Sequence, residues 1–509
     1  MVSINKNILR SLLILSFIAL NALIIFGISA LFTYLNTGAD RSKMLHTEIK
    51  KVDQYLPKMD WASLKNEGRP ISEQTLIEIE NDYLDAWYVK HIAYKTNQKA
   101  GIKDYYTENA RKNIYQYVDL NKKENVTVES TTLNHNPTLE FYSEDGQLAV
   151  LTDENVKEYK RIYKENNLIL EANESATYKV ILLLEDGFWR IRHMVKEDII
   201  KSDTIDVNKV SDFNETYQNL KGINYYPQKT PWDMFGDKFD IDVISKDLKL
   251  ISKTGLNSIR IFVPYEDFGK AHVKPEKLEK LKQVMDAADS NQLKVMVTLF
   301  DFYGDYSVLD WTLNQRHAET IVSQFKNHNA LLAWDIKNEP NLDFESRKET
   351  KVISWLKHMI QLVKSIDQNH PVTIGWSDAE SANILKDELD FISFHYYQKI
   401  DNLESIYQSL KTEIPTKPVV ITEFGKSSYS GLWNLYSGSE KDQADYYQTI
   451  QNIFSKNNMS FMSWTLYDFS EIPKEVVGRL PWRKEAQKHF GFISENGETK
   501  PAFKYIFKE

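Results

Sequence analysis

"LLAWDIKNEP", residues 331–340, is the stretch on which the reading of this chain turns. Its first part is apolar enough for a buried strand, and it ends in Asn338, Glu339 and Pro340. A carboxylate is costly to desolvate, so an acid closing such a run calls for a task. Taken alone, Glu339 fits equally well as a helix-start carboxylate facing an N-terminal dipole.

Seven further runs of the same kind flank it: "GINYYP", "SIRIFVP" and "KVMVTLFD" before it, "PVTIGWSD", "LDFISFHYY", "PVVITEFG" and "FMSWTLYDF" after it. Helical stretches such as "PEKLEKLKQVMDAA" and "ETKVISWLKHMIQLVKSI" lie between them, the alternation of βαβ units. Eight strand-helix repeats over 221–509 predict an α/β fold, a (β/α)₈ TIM barrel, for which about 250 residues is typical. An open doubly wound sheet would more often carry a Gly-rich phosphate turn after its first strand, and "GINYYPQKTPW" is not one.

Barrel chemistry sits at the C-terminal ends of the strands. Glu339 closes run four and Glu423 closes run seven, so both are expected over one mouth. Two carboxylates over one pocket are the minimum equipment for glycoside hydrolysis. The acid and the nucleophile of such a pair need different neighbours, because their pKa values must be pushed apart.

"NEP" at 338–340, "HYY" at 395–397 and "ITEFG" at 421–425 resemble glycoside hydrolase family 5, the cellulase and mannanase family of retaining enzymes. Arg260 in run two, Trp464 in run eight and the ending "GFISENGETKPAFKYI" belong to the same likeness. The resemblance implies Glu339 as general acid and then base, and Glu423 as nucleophile. It also implies Asn338 on the sugar 2-hydroxyl, Arg260 orienting Glu423, Tyr397 near the nucleophile, His395 supporting Glu339 and Trp464 as subsite floor. Family members often place a histidine after strand three, whereas this chain reads "TLFDFYGD", with Phe300 and Asp301 there.

Tyr225, Tyr226, Trp232, Tyr303, Trp311, Trp376, Trp433 and Trp482 fall near strand ends, where rings either stack on sugar faces or pack. Asp301, Asp305 and Asp310 lack the spacing of a calcium loop. No metal and no cofactor is expected.

Upstream of the barrel the chain changes character twice. "SLLILSFIALNALIIFGISALFTYL", residues 11–35, contains no charge and is long enough to cross a bilayer. It exceeds the apolar core of a usual cleaved signal peptide. We expect residues 1–10 as a cytoplasmic tail, 11–35 as a single-pass anchor and 36–71, polar and mixed in charge, as a stalk. "SEQTLIEIENDYLDAWYVKHIAYKT" then has helical spacing with Ser72 as cap, and a second helix is expected near Lys103–Tyr117. Strand-like alternation follows to "GFWRIRHM". Helices first and an antiparallel sheet after, over 72–205, resemble the cone-shaped α+β domain of the nuclear transport factor 2-like superfamily. Residues 206–220 read as a linker. His91, His135 and His193 are isolated, so this domain reads as a spacer or binding module whose partner the residues do not name.

Bulk composition narrows the rest. Lys plus Arg total 63 against 72 Asp plus Glu, a net charge of −9 that attracts neither nucleic acid nor an anionic membrane. There is no cysteine, which removes thiol catalysis, disulfides and Cys-ligated zinc together, and mildly favours a bacterial envelope protein. Lys6 and Arg10 precede the span while Arg41, Lys43, Lys50 and Lys51 follow it, so the positive-inside count does not favour an outward C-terminus. Long domains cross largely regardless of charge, and a glycan substrate implies a catalytic domain outside the cytoplasm. The expectation is a membrane-anchored retaining β-glycosidase acting on a β-linked glycan, with a transglycosylase or a non-catalytic carbohydrate-binding barrel as alternatives.

Overall fold

The computed structural model of the protein describes residues 6–36, 54–64, 69–201, 219–478 and 480–507. Helix α1 (Lys6–Asn36) comes first, and its window Ile14–Leu31 has a mean hydropathy of 2.4 with no side chain buried. Such a helix has the length and composition of a bilayer span, and those of a signal sequence as well. Residues 37–53 of the expected stalk and 202–218, which hold most of the expected linker, lie outside the described residues.

Residues 54–64 differ from a solvated stalk. Strands β1 (Lys58–Met59) and β2 (Ser63–Leu64) pair in parallel with β3 (Val126–His135) and β4 (Pro137–Tyr142). Tyr55, Met59 and Trp61 pack on the core beneath them. Two-residue strands carry no readable periodicity, so the polar composition dominated the expectation.

Helix α2 (Glu73–Thr96) starts where the cap predicts: the Ser72 hydroxyl accepts from Thr75 N at 3.1 Å, and Asn97 ends the helix in the left-handed region. Its buried stripe, Ile79, Tyr83, Ala86, Trp87, His91 and Ala93, lies against the sheet. The second helix is broken. A single turn, Ile102–Tyr105, precedes α3 (Glu108–Lys123), because Tyr106 leaves the helix to bridge Ile191. The long strand β5 (Leu148–Lys164) pairs antiparallel with β3 and β4 along one edge and with β6 (Asn167–Glu185) along the other, and β6 pairs with β7 (Phe188–Lys201).

The barrel follows with strands β8 (Lys221–Asn224), β9 (Ser258–Pro264), β10 (Lys294–Asp301), β11 (Leu331–Asn338), β12 (Val372–Trp376), β13 (Ile392–Tyr396), β14 (Val419–Phe424) and β15 (Ser460–Ser463). All neighbours are parallel and β15 pairs with β8, which closes the circle. The outer helices are α4 (Ile241–Lys253), α5 (Pro275–Ser290), α6 (Trp311–Phe325), α7 (Glu349–Ile366), α8 (Leu403–Glu413) and α9 (Glu440–Asn457). Between β12 and β13 there is a 3₁₀ turn, Ser381–Asn383. A cluster of Leu220, Met296, Leu332, Ala333, Phe391, Val420 and Met462 forms an apolar group of its own, and polar side chains occupy the strands beyond it.

Sheet and barrel share an interface on α6 and α7. Tyr159 stacks on Trp311 with ring centroids 4.2 Å apart, and the buried Arg161 donates from Nη2 to Thr350 O at 3.1 Å. Lys351 pairs with Glu129 at 3.0 Å. Arg316 donates to the carbonyls of Leu56 and Pro57, so the segment before β1 is tied to the barrel too.

Candidate active site

The polar side chains described below come from the barrel strands or from the residue just after one. Arg260 on β9 is fully buried and its five donors are distributed over fixed partners. Nε and Nη2 donate to Asp335 Oδ2 at 3.0 and 2.6 Å, and Nη2 also to Asn338 Oδ1 at 2.9 Å. Nη1 donates to Asn224 Oδ1 at 3.0 Å and to Glu423 Oε2 at 3.5 Å. Burial alone would lower the guanidinium pKa, but Asp335 and Glu423 outweigh it and raise it, so Arg260 is a permanent charge.

Asp335 is the pivot of this layer. Besides Arg260 it accepts from Thr298 Oγ1 at 2.7 Å and from Gly375 N at 2.9 Å, which ties together β9, β10, β11 and β12. Gly375 is there because nothing larger fits: a Cβ would stand 2.7 Å from Arg260 Nη2 and 3.2 Å from His395 Nε2. Its carbonyl accepts from Glu339 N at 2.7 Å.

Glu339 itself has φ of 46°, a left-handed conformation that costs a non-glycine residue energy and is held here by its surroundings. Its Oε1 meets His395 Nδ1 at 2.9 Å. Glu423 has other neighbours. Its Oε1 accepts the Tyr397 hydroxyl at 2.7 Å, and His395 Nδ1 lies 3.8 Å from its Oε2. Burial, and then the Glu423 charge, hold the Tyr397 hydroxyl well above the usual tyrosine range, so it stays a proton donor. Donor atoms of Glu339, His395 and Glu423 all lie within 4.8 Å of one another. A divalent cation accepts that spacing too, yet a guanidinium 3.5 Å from Glu423 opposes a second positive charge there. The set suits an acid/base pair better than a metal.

Trp464 is buried beside the mouth, among Tyr226, Trp232 and Phe262. Of the other aromatic residues considered, Tyr225, Tyr226, Trp232, Tyr303, Trp311 and Trp376 are buried packing, while Trp433 and Trp482 are open to solvent. At the β10 departure, Phe300 turns outward to Trp355 and His317, and Asp301 stands 3.5 Å from the Tyr226 hydroxyl.

Asn224, Thr298, Asp335 and Gly375 were not among the expected site residues. A signal for Asp335 exists in the opening stretch: two residues after Ala333, and directly after four apolar residues, the acid shares the face of Ala333 and needs a cation near it.

The family described as "Cellulase (glycosyl hydrolase family 5)" matches residues 213–470. The chain belongs to glycosyl hydrolase family 5. Among curated relatives of this family 5 chain, a β-glucuronidase of Streptococcus agalactiae serotype V is 24% identical over 293 residues, 52% of this chain and 45% of that one. Mannan endo-1,4-β-mannosidase A of Hypocrea jecorina is 25% identical over 157 residues, 24% of this chain and 36% of that one. The family 5 chain thus spans about half or less of the length of these relatives. Among solved structures, an exo-β-1,4-mannosidase from Opitutaceae bacterium strain TAV5 is 18% identical at a TM-score of 0.45, over 56% of this chain and 58% of that one.

Proposed function

We propose that this family 5 chain is a membrane-anchored retaining β-glycosidase, with Glu423 as nucleophile and Glu339 as acid/base. The observation that carries the proposal is the spacing of the two carboxylates, within 4.8 Å at their nearest donor atoms, with unlike neighbours on each. Retaining enzymes hold the pair about 5–5.5 Å apart, whereas inverting enzymes need room for a water, about 6.5–9.5 Å.

In the first step a Glu423 oxygen bonds to the anomeric carbon as the glycosidic C–O bond breaks, and Glu339 gives its proton to the departing oxygen. In the second step Glu339 takes a proton from water, whose oxygen displaces Glu423 at the same carbon. Tyr397 and Arg260 fix the oxygens of Glu423, and Asn338, held by Arg260, is positioned for the sugar 2-hydroxyl. The names of the relatives support a β-mannosidic or related β-linked substrate. The apolar window of α1 supports an anchor, with residues 36–509 outside the cytoplasm. Protease added to intact cells is expected to cleave the C-terminal region, and protection until lysis would refute that orientation.

Azide tests the two roles. Glu339→Ala should still transfer sugar from dinitrophenyl glycosides, whose leaving group needs no proton, and azide should restore turnover with a glycosyl azide of retained configuration. Glu423→Ala with azide should give the inverted azide, since the anion then attacks from the vacated face. Exchange of these stereochemical outcomes would overturn the assignment.

A further inference from the structure

We propose that the loop between β14 and α9, together with α10 (Pro481–Lys488), forms a second glycan-binding subsite that continues the catalytic mouth. The proposal rests on the glycosidase reading for its occupant, a further stretch of the same β-linked chain.

Lys426, Ser427, Tyr429, Asn434, Asp442 and Trp482 line a cavity of about 360 Å³ here. That lies at the lower end of the volumes of small-molecule sites. Trp482, 37% exposed, is one of its walls, and Trp433, 47% exposed, stands next to it with ring centroids 6.2 Å apart. Exposed rings over a pocket that offers both donors and acceptors match a sugar, which has apolar C–H faces and a rim of hydroxyls. Lys426 and Asp442 bring one charge of each sign, so the pocket does not select an anion.

The loop is also fixed. Asn434 donates from Nδ2 to Tyr429 O at 2.5 Å and to Ser437 O at 2.6 Å, and accepts from Gly431 N at 3.0 Å. A pre-formed platform avoids the ordering cost that a floppy loop would pay on binding.

Continuity with the mouth can be traced side chain by side chain. Tyr397, bonded to Glu423, meets Phe490 edge-on at 6.0 Å. The preceding residue, His489, packs on Tyr429 at 5.4 Å, and Tyr429 is a wall of the cavity. Lys426, on another wall, follows Glu423 by three positions in the chain. These contacts set the platform beside Tyr397, the side from which we infer that the glycan extends.

The test compares full-length wild type with Trp433→Ala, Trp482→Ala and Trp482→Tyr on β-1,4-linked manno- and gluco-oligosaccharides. The quantity read is kcat/KM for the hexasaccharide relative to the disaccharide. It should fall about tenfold in each alanine variant, mainly through KM, the loss of one aromatic contact. Trp482→Tyr, which keeps a ring, should recover most of it. An unchanged ratio in folded alanine variants would overturn the subsite. If the wild type cleaves none of these sugars, the assignment of a manno- or gluco-configured substrate fails by itself. Calorimetric binding of the hexasaccharide, lost in Trp482→Ala, would then still support the subsite, and absence of binding would overturn it. Leu432, Leu435 and Tyr436 are exposed on the same loop, a composition that a bilayer surface also favours. The chain has no cysteine, so Tyr436→Cys accepts a single environment-sensitive label. A blue shift in reconstituted vesicles that the hexasaccharide does not alter would identify a bilayer contact and overturn the glycan assignment.

Discussion

Two buried clusters of ionisable side chains in this chain look alike on paper and behave differently. In the barrel, Glu339, His395 and Glu423 gather around Arg260. In the sheet unit, Asp153 Oδ2 accepts from Tyr83 at 2.8 Å and meets His135 Nδ1 at 2.7 Å, and its Oδ1 accepts from Asn136 N at 2.8 Å. His135 Nε2 is in turn 2.8 Å from Thr132 Oγ1, and Tyr55 closes the line on Thr132. From Tyr55 through Thr132 and His135 to Asp153 each of these side chains is hydrogen-bonded to the next, Asp153 and His135 are wholly buried, and Trp87, whose Nε1 has no hydrogen-bond partner among the described residues, packs over them. The barrel cluster reaches solvent through Tyr397, and His395 Nε2 has no hydrogen-bond partner among the described residues. A closed network specifies a fold, whereas an open one with unbalanced charge has capacity left for a substrate.

The same deletion made in both clusters should give opposite results, and this is the largest effect we expect. Glu423→Ala should lower turnover at least about 10⁴-fold. Its unfolding free energy should shift by no more than about 1 kcal/mol, because Asp335 still balances Arg260. Asp153→Ala should leave kcat of the folded enzyme unchanged but cost about 3–5 kcal/mol of stability, since it strands Tyr83 and His135 without their acceptor. Assays below the melting transition, paired with denaturant titrations, separate the two. Loss of kcat in Asp153→Ala at full foldedness would show that the sheet cluster takes part in catalysis.

A smaller effect concerns what holds the open cluster in shape. Gly375→Ala places a methyl group against the guanidinium of Arg260 and against His395. Moving either group by a few tenths of an ångström disturbs both carboxylates, so kcat should fall about 10²-fold. Stability should fall by about 1–3 kcal/mol, as for other overpacked sites. Near wild-type kcat in this variant would mean that the Arg260 network yields without consequence for the carboxylates.

How much of this was legible beforehand depends on whether the information is local. Strands β9 and β10 lie at 258–264 and 294–301, where their apolar runs read. The run "FMSWTLYDF" read as one strand, yet β15 ends at Ser463, because apolar residues that continue into a loop look no different from strand. Glu339 and Glu423 stood out through the local motifs "NEP" and "ITEFG" that hold them, since Asp301 and Asp378 also close apolar runs. Asn224 and Gly375 did not, since their importance comes from meeting Arg260 across strands, a relation that spacing does not encode. The eight candidate aromatic residues divided only in three dimensions, by whether other side chains bury them.

The smallest expected effect lies where the two regions meet. His358 on α7 lies flat against Trp311, with ring centroids 4.8 Å apart and planes 11° apart, and Trp311 stacks in turn on Tyr159 of the sheet unit. Burial, and then the charge of Lys157, lower the His358 pKa to about 4. In the unfolded chain the same imidazole titrates near its ordinary value of about 6.5. Between those values the unfolded state binds a proton that the folded state does not, so protonation favours unfolding. The contribution of His358 is therefore fully present above about pH 6.5 and drains away as the pH falls toward about 4. Partial exposure of the ring reduces it to about 1–2 kcal/mol. His317, lowered to about 4 by burial between α6 and the barrel wall, adds a drain of the same sign. His358→Phe keeps the stack but cannot take a proton, so the fall in melting temperature between pH 7 and pH 4.5 should become shallower without vanishing. The pH profile of kcat should not move, because His358 touches neither carboxylate. An equally steep fall in His358→Phe would mean that the imidazole is already reached by water, and that sheet and barrel part readily at this face.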